Sequence, residues 1–122
     1  MAVNMQTVLM TKRFDAPDEV RAFTDDKGRI ELVEVGGRMI GRGTYMPGWK
    51  WSENAKPIFQ TDSCEMFHLG YCESGSMRVT MDSGESIEFG PGDVCEIPPH
   101  HDAEVLGDEP CVLMDFGQVA SP

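Results

Sequence analysis

The chain has 122 residues, room for one compact domain and no more. Its 40% hydrophobic content is broken up by 13 Gly and 8 Pro, which excludes a long coiled coil, and no run approaches the ~20 apolar residues of a spanning helix. Twenty-one acidic against ten basic residues give a formal charge of −11, which repels phosphate backbones and anionic bilayers, so neither nucleic acid nor membrane is an expected partner.

The opening Met1–Arg13 has neither the basic start nor the apolar run of a secretory signal. The four cysteines, Cys64, Cys72, Cys95 and Cys111, form no CxxC pair and no disulfide framework. They are expected to be buried, reduced thiols of a cytoplasmic protein. None has a Lys or Arg beside it in sequence to depress its pKa, which argues against a reactive thiolate.

Residues 1–27 read as an N-terminal extension. Asp15 followed by Pro17, Asp18 and Glu19 looks like a helix start, and a short helix is expected through Phe23. Residues 28–122 read as an all-β domain. Arg29–Val35 alternates apolar and charged residues, and Arg38–Met46 reads as a second strand. Cys64–Cys72 is apolar on both faces and is expected to be a central strand with cover on each side. Ser76–Met81, the turn Asp82–Glu85 and Ser86–Phe89 read as a hairpin, and His101–Val105 and Val112–Phe116 as the closing strands. Met77, Val79, Ile87, Phe89, Val105 and Val112 are the expected apolar interior, and truncating Ile87 or Val105 to Ala should cost about 2–5 kcal/mol. The close, regular spacing of turn signals is that of a sandwich or barrel.

Between Gly43 and Phe116, Gly90-Pro91-Gly92-Asp93 followed by Ile97-Pro98-Pro99 resembles the cupin superfamily. The resemblance implies a jelly-roll β-barrel with a site inside its mouth, where the family's two motifs hold a divalent metal. Trp49 and Trp51 stand at the spacing of the family's HxH pair, and His68 stands where the first-motif Glu falls. In the second motif Gly92 and Pro98 fit, His100 replaces a Gly, Ala103 stands at the His position, and Gly107 replaces the terminal Asn. His101 shares the strand parity of Ala103, so its side chain is expected in the lumen.

On this basis His68 and His101 are the expected ligands of a divalent transition metal (Zn, Fe, Ni or Mn), with Cys64 or Glu53 as a third. An unbroken strand would hold Cys64 and His68 about 13 Å apart, so that pairing requires a bulge. Metal affinity should fall as pH drops through the His pKa, near ~6.5 if unperturbed. His100 is expected to be a solvated turn residue. Trp49 and Trp51 would wall an apolar pocket for a small organic molecule, with Glu53 and Tyr71 as the nearest acid–base groups. The implied activity is that of a metal-dependent enzyme, isomerase- or oxygenase-like. The alternative is a non-catalytic ligand-binding or sensing barrel with a Trp-lined, metal-free pocket. A homodimer is expected to cover Phe67, Leu69 and Tyr71, unless the segment Phe14–Phe23 does so within one chain.

Overall fold

The computed structural model describes residues 8–119, with side chains through Gly117. Nine strands are arranged in chain order as β1 Glu19–Ala22, β2 Gly28–Val35, β3 Arg38–Tyr45, β4 His68–Ser74, β5 Ser76–Met81, β6 Ser86–Phe89, β7 Val94–Ile97, β8 His101–Leu106 and β9 Cys111–Val119. Two helical turns, α1 Trp51–Asn54 and α2 Lys56–Phe59, lie between β3 and β4. The strands form a six-stranded antiparallel sheet, β1-β2-β3-β9-β4-β7, and a three-stranded one, β6-β5-β8. The architecture is the all-β jelly roll expected from the sequence.

Three expectations need correction. The helix over Asp15–Phe23 is not formed. Glu19–Ala22 is an edge strand paired with β2, and the helical segment of this region is the single 3-10 turn Thr24–Asp26. Hydrogen bonds along a sheet edge outweigh the local helix signals in so short a segment. Second, Ile87 is 46% exposed although Phe89, on the same face, is buried. Ile87 sits on β6, the outer strand of the small sheet, beside the hairpin turn, where no second layer reaches it. Third, Cys64–Cys72 is not one strand. β4 starts at His68, and the odd-numbered face of β4 is not fully covered, Leu69 and Tyr71 each being 40% exposed.

The N-terminal segment covers a different part of the same sheet. Asp18 N–H donates to the Leu32 carbonyl, and the Arg42 guanidinium lies 5.1 Å over the Phe14 ring. Beneath Arg42 and Arg29, Glu31 is buried and paired with both guanidinium groups.

Met77, Val79, Phe89 and Val105 are buried as expected, together with Trp49, Trp51, Cys72, Cys95, Ile97 and Cys111. Val112 is half-buried. Met77→Ala should therefore cost about 2–5 kcal/mol, whereas Ile87→Ala should cost less than about 1 kcal/mol. Urea melts of the two variants check the difference.

Candidate functional site

The two sheets enclose a cavity of about 610 Å³. Inward-facing residues of β2, β3, β4, β5, β7, β8 and β9 line it, closed at one side by Trp49, Trp51 and the exposed residues Ile58 and Phe59 of α2. Helical turn α1 is fixed by Asn54, which is buried. Its Oδ1 accepts the Lys50 N–H at 3.0 Å, and its backbone carbonyl accepts the Thr24 hydroxyl at 3.1 Å. The Ser52 N–H donates to Asp102 Oδ1 at 3.1 Å, tying the same turn to β8.

The aromatic wall has two parts. Phe23, Tyr45 and Trp49 form one cluster, with ring centroids 4.7–5.4 Å apart, and Trp51 stacks on Phe59 at 6.4 Å. Both tryptophans are buried and line the cavity, as the motif spacing implied. They reach it by a route other than strand parity, because Trp51 opens a helical turn. The Trp49 Nε1–H is buried without an acceptor among the described residues.

The chemistry-bearing residues gather at one end of this lumen. Cys64, His68 and His101 each present a ligand atom, all within 4.8 Å of one another. Cys64 Sγ lies 3.8 Å from His68 Nε2, and the two imidazole centroids are 5.2 Å apart. The expected 13 Å separation of Cys64 and His68 does not arise, because the chain leaves the extended ladder between Cys64 and His68. Cys64 instead forms an isolated antiparallel bridge with His101, and β4 begins only at His68.

Both imidazoles are anchored through Nδ1. His68 Nδ1 donates to Asp115 Oδ2 at 2.6 Å, and His101 Nδ1 donates to the Pro98 carbonyl at 2.7 Å. Asp115 is itself held by the Gly117 N–H at 2.9 Å. Such anchors fix the orientation of each ring, turn Nε2 toward the lumen, and raise the basicity of the ring. Tetrahedral S and N ligands of one zinc-sized ion stand about 3.6 Å apart. The Cys64–His68 spacing of 3.8 Å fits that without rearrangement.

The electrostatics are those of a thiolate–imidazole group. Burial works to raise the Cys64 thiol, but hydrogen bonds with His101 and then His68 outweigh it and bring the pKa down to about 6. Burial works against a charged His68, yet the hydrogen bond to Asp115, and then Cys64, raise it to about 9. The other three thiols move the opposite way. Burial pushes Cys72, Cys95 and Cys111 up. No Lys or Arg flanks Cys64 in sequence, but the fold supplies imidazole partners from β4 and β8 that lower its pKa.

Glu53 and Tyr71 are not brought to the cavity. Glu53 is exposed on the outer side of α1, and Tyr71 points away from the lumen because its neighbours Gly70 and Cys72 point in. His100 is the exposed turn residue expected, with φ 77°. Two site residues were not foreseen. Asp115 is a carboxylate among Val112, Leu113, Met114 and Phe116, on the same face as Cys111 and Leu113; a lone acid on the inner face of an apolar strand was the available signal. Tyr45 runs back over Gly43, where an added Cβ would collide with its ring. Burial, and then Asp115, keep its hydroxyl protonated.

No family model and no curated protein matches this sequence. Among solved structures, a cupin-superfamily sugar phosphate isomerase from Silicibacter pomeroyi superposes with TM-score 0.60 at 16% identity, covering 89% of this chain and 75% of its own. KdgF from a Halomonas species gives TM-score 0.54 at 21% identity, covering 78% and 83%. An oxalate decarboxylase variant from Bacillus subtilis gives TM-score 0.57 at 21% identity, covering 80% of this chain but 28% of that one. The fold is therefore that of the cupin superfamily.

Alkylation of the native, metal-free protein with iodoacetamide at neutral pH should modify Cys64 first and leave Cys72 and Cys111 unmodified. His68→Ala should slow that reaction, and peptide mass spectrometry reads both results.

Proposed function

We propose that the lumen is a small-molecule site in which Cys64, His68 and His101 hold a divalent transition metal. The observation that carries this is the double anchoring of Nδ1, by Asp115 and by the Pro98 carbonyl, which turns two Nε2 atoms toward one cysteine sulfur. One thiolate and two imidazoles suit zinc, and also iron or nickel, and three protein ligands leave a position open for an organic ligand. When bound, the metal would act as a Lewis acid on a ligand oxygen. Around it, Asp115 orients His68, the aromatic wall excludes water, and the neutral Tyr45 hydroxyl offers a hydrogen bond from the cavity wall. An isomerase- or oxygenase-like activity is consistent with such a centre and with the enzymes that share the fold.

One observation favours the alternative of a non-catalytic binding or sensing barrel: Glu53 and Tyr71, the residues expected to move protons, lie outside the cavity. Assembly and location follow from other features. Tyr71 pairs across the sheet with Val94, and Leu69, Tyr71, Val94 and Phe116 are all exposed on the outer face, which supports a homodimer through that sheet. Four free, buried thiols support a cytoplasmic location, and no helix among the described residues is long and apolar enough to cross a membrane. Light scattering giving 13.5 kDa, the mass of one chain, would exclude the dimer.

Cobalt(II) titration of protein made without a histidine tag should give a thiolate-to-metal charge-transfer band at one ion per chain. Cys64→Ser should remove the band, His68→Ala the binding, and His100→Ala neither. The pH dependence has a definite sign. At neutral pH His68, with its pKa of about 9, is protonated, while Cys64, at about 6, is already a thiolate. The metal must displace the Nε2 proton of His68, so affinity should weaken about tenfold per pH unit below about 9, and more steeply below about 6 where the thiol also protonates. The midpoint expected for an unperturbed histidine is thus moved upward by Asp115. Calorimetry at pH 7 in buffers of different ionisation enthalpy should show about one proton released per metal.

A further inference from the structure

We infer that the molecule bound in the lumen is uncharged and largely apolar, of aromatic or alicyclic build, with a neutral oxygen directed at Cys64, His68 and His101. This rests on the reading of that cluster as the polar end of a ligand site. The cavity, about 610 Å³, is the size that takes a small organic molecule. Away from the cluster its walls are hydrocarbon and ring faces, from Leu32, Tyr45, Trp49, Trp51, Met77 and Leu113.

Charge decides the class of ligand. Among the described residues lining the cavity, the only guanidinium or ammonium group is that of Arg21. Arg21 is at the exposed rim, where its Nε holds Glu19 at 2.7 Å, with just over half of its side chain in solvent. Among the described residues, no lysine or arginine of the cavity wall stands beside the cluster itself. The cluster brings two acidic groups, the Cys64 thiol and the Asp115 carboxylate, to imidazoles of which His68 is already paired with Asp115; with both acids ionised they would balance a divalent cation and leave no positive charge for an anion. A carboxylate or phosphate brought there would leave a net negative charge in an apolar cavity, a costly state without a partner. The unpartnered Trp49 indole N–H is a neutral donor and supplies no compensating charge. A carbonyl, hydroxyl or amide oxygen adds no charge and still offers a lone pair to the polar end. The same molecule buries its carbon skeleton against the tryptophans, worth roughly 25 cal/mol per Å².

The test compares two probes of the same shape and different charge, 2-naphthamide and 2-naphthoate, by calorimetry on the full chain with and without zinc. The amide should bind in both states, and the carboxylate about tenfold more weakly or worse. Phe59→Ala, at the half-exposed rim, should weaken the amide severalfold while leaving the far-UV spectrum unchanged. Equal or tighter binding of 2-naphthoate, tight binding of oxalate, or no binding of the amide would overturn the inference. Zinc uptake measured separately keeps the two readings distinct. Amide binding to a protein that takes up no zinc supports this inference and removes the metal; zinc uptake without discrimination between the probes does the reverse.

Discussion

The site depends on one short backbone pairing, the isolated bridge between Cys64 and His101. The Cys64 N–H donates to the His101 carbonyl at 2.8 Å, and the Cys64 carbonyl accepts from His100 at 2.6 Å and from His101 at 3.3 Å. Residues directly opposite in such a pairing hold their Cβ atoms about 4.5–5.5 Å apart on one face, so the thiol and the imidazole necessarily meet. The geometry requires His100 to adopt a left-handed conformation, unusual for a residue with a side chain. That turn follows Pro98 and Pro99, and its Pro98 carbonyl then anchors the His101 ring. One turn thus sets both the position and the tautomer of His101. His68 joins the pair because three residues of irregular chain let β4 begin beside the bridge, and β9 places Asp115 behind it, opposite Gly70.

The empty space is built as deliberately as the polar cluster. Gly41, Gly43 and Gly70 face the lumen from three adjacent positions in the sheet, on β3 and β4 either side of β9. At Gly43 a side chain would occupy the place of the Tyr45 ring. At Gly70 it would meet the Met114 carbonyl at 3.0 Å. Glycine in a strand gives up packing and costs conformational entropy, a loss tolerated where another group must come close. Here the groups that come close are the Tyr45 phenol at Gly43 and the Met114 carbonyl at Gly70.

The fold was legible because it is carried by local signals. Turn residues at short intervals and period-2 alternation located β2, β3, β5, β6, β8 and β9 close to their observed bounds. His68 and His101 were legible by spacing and parity. The arrangement that makes them a site was not, because it consists of contacts between residues distant in sequence: Asp115 on His68, 47 positions away, and Cys64 on His101. Parity also misled where a strand was assumed to continue. It placed Cys64 too far from His68 and Ile87 in the interior, whereas Glu53 was offered from a loop with no parity to guide it. In each case the chain leaves the ladder or runs at its edge, and alternation there no longer reports what lies on either side. The N-terminal segment shows the same limit from the other direction: capping residues and Pro17 favour a helix by tenths of a kcal/mol to about 1 kcal/mol, less than the run of sheet hydrogen bonds gained by β1.

The strongly acidic character of the chain says little about what enters the barrel. Surface carboxylates are screened over about 10 Å at moderate salt, and several are already paired, as Glu88 is with Arg78. Inside the lumen there is no such screening, and a single carboxylate 2.6 Å from His68 outweighs them. It raises the basicity of the ring, orients its free nitrogen, and opposes any second negative charge nearby. On the proposed reading, the group that orients His68 as a ligand also narrows what can bind beside it. A neutral occupant, as proposed, would use the aromatic walls without disturbing that local balance.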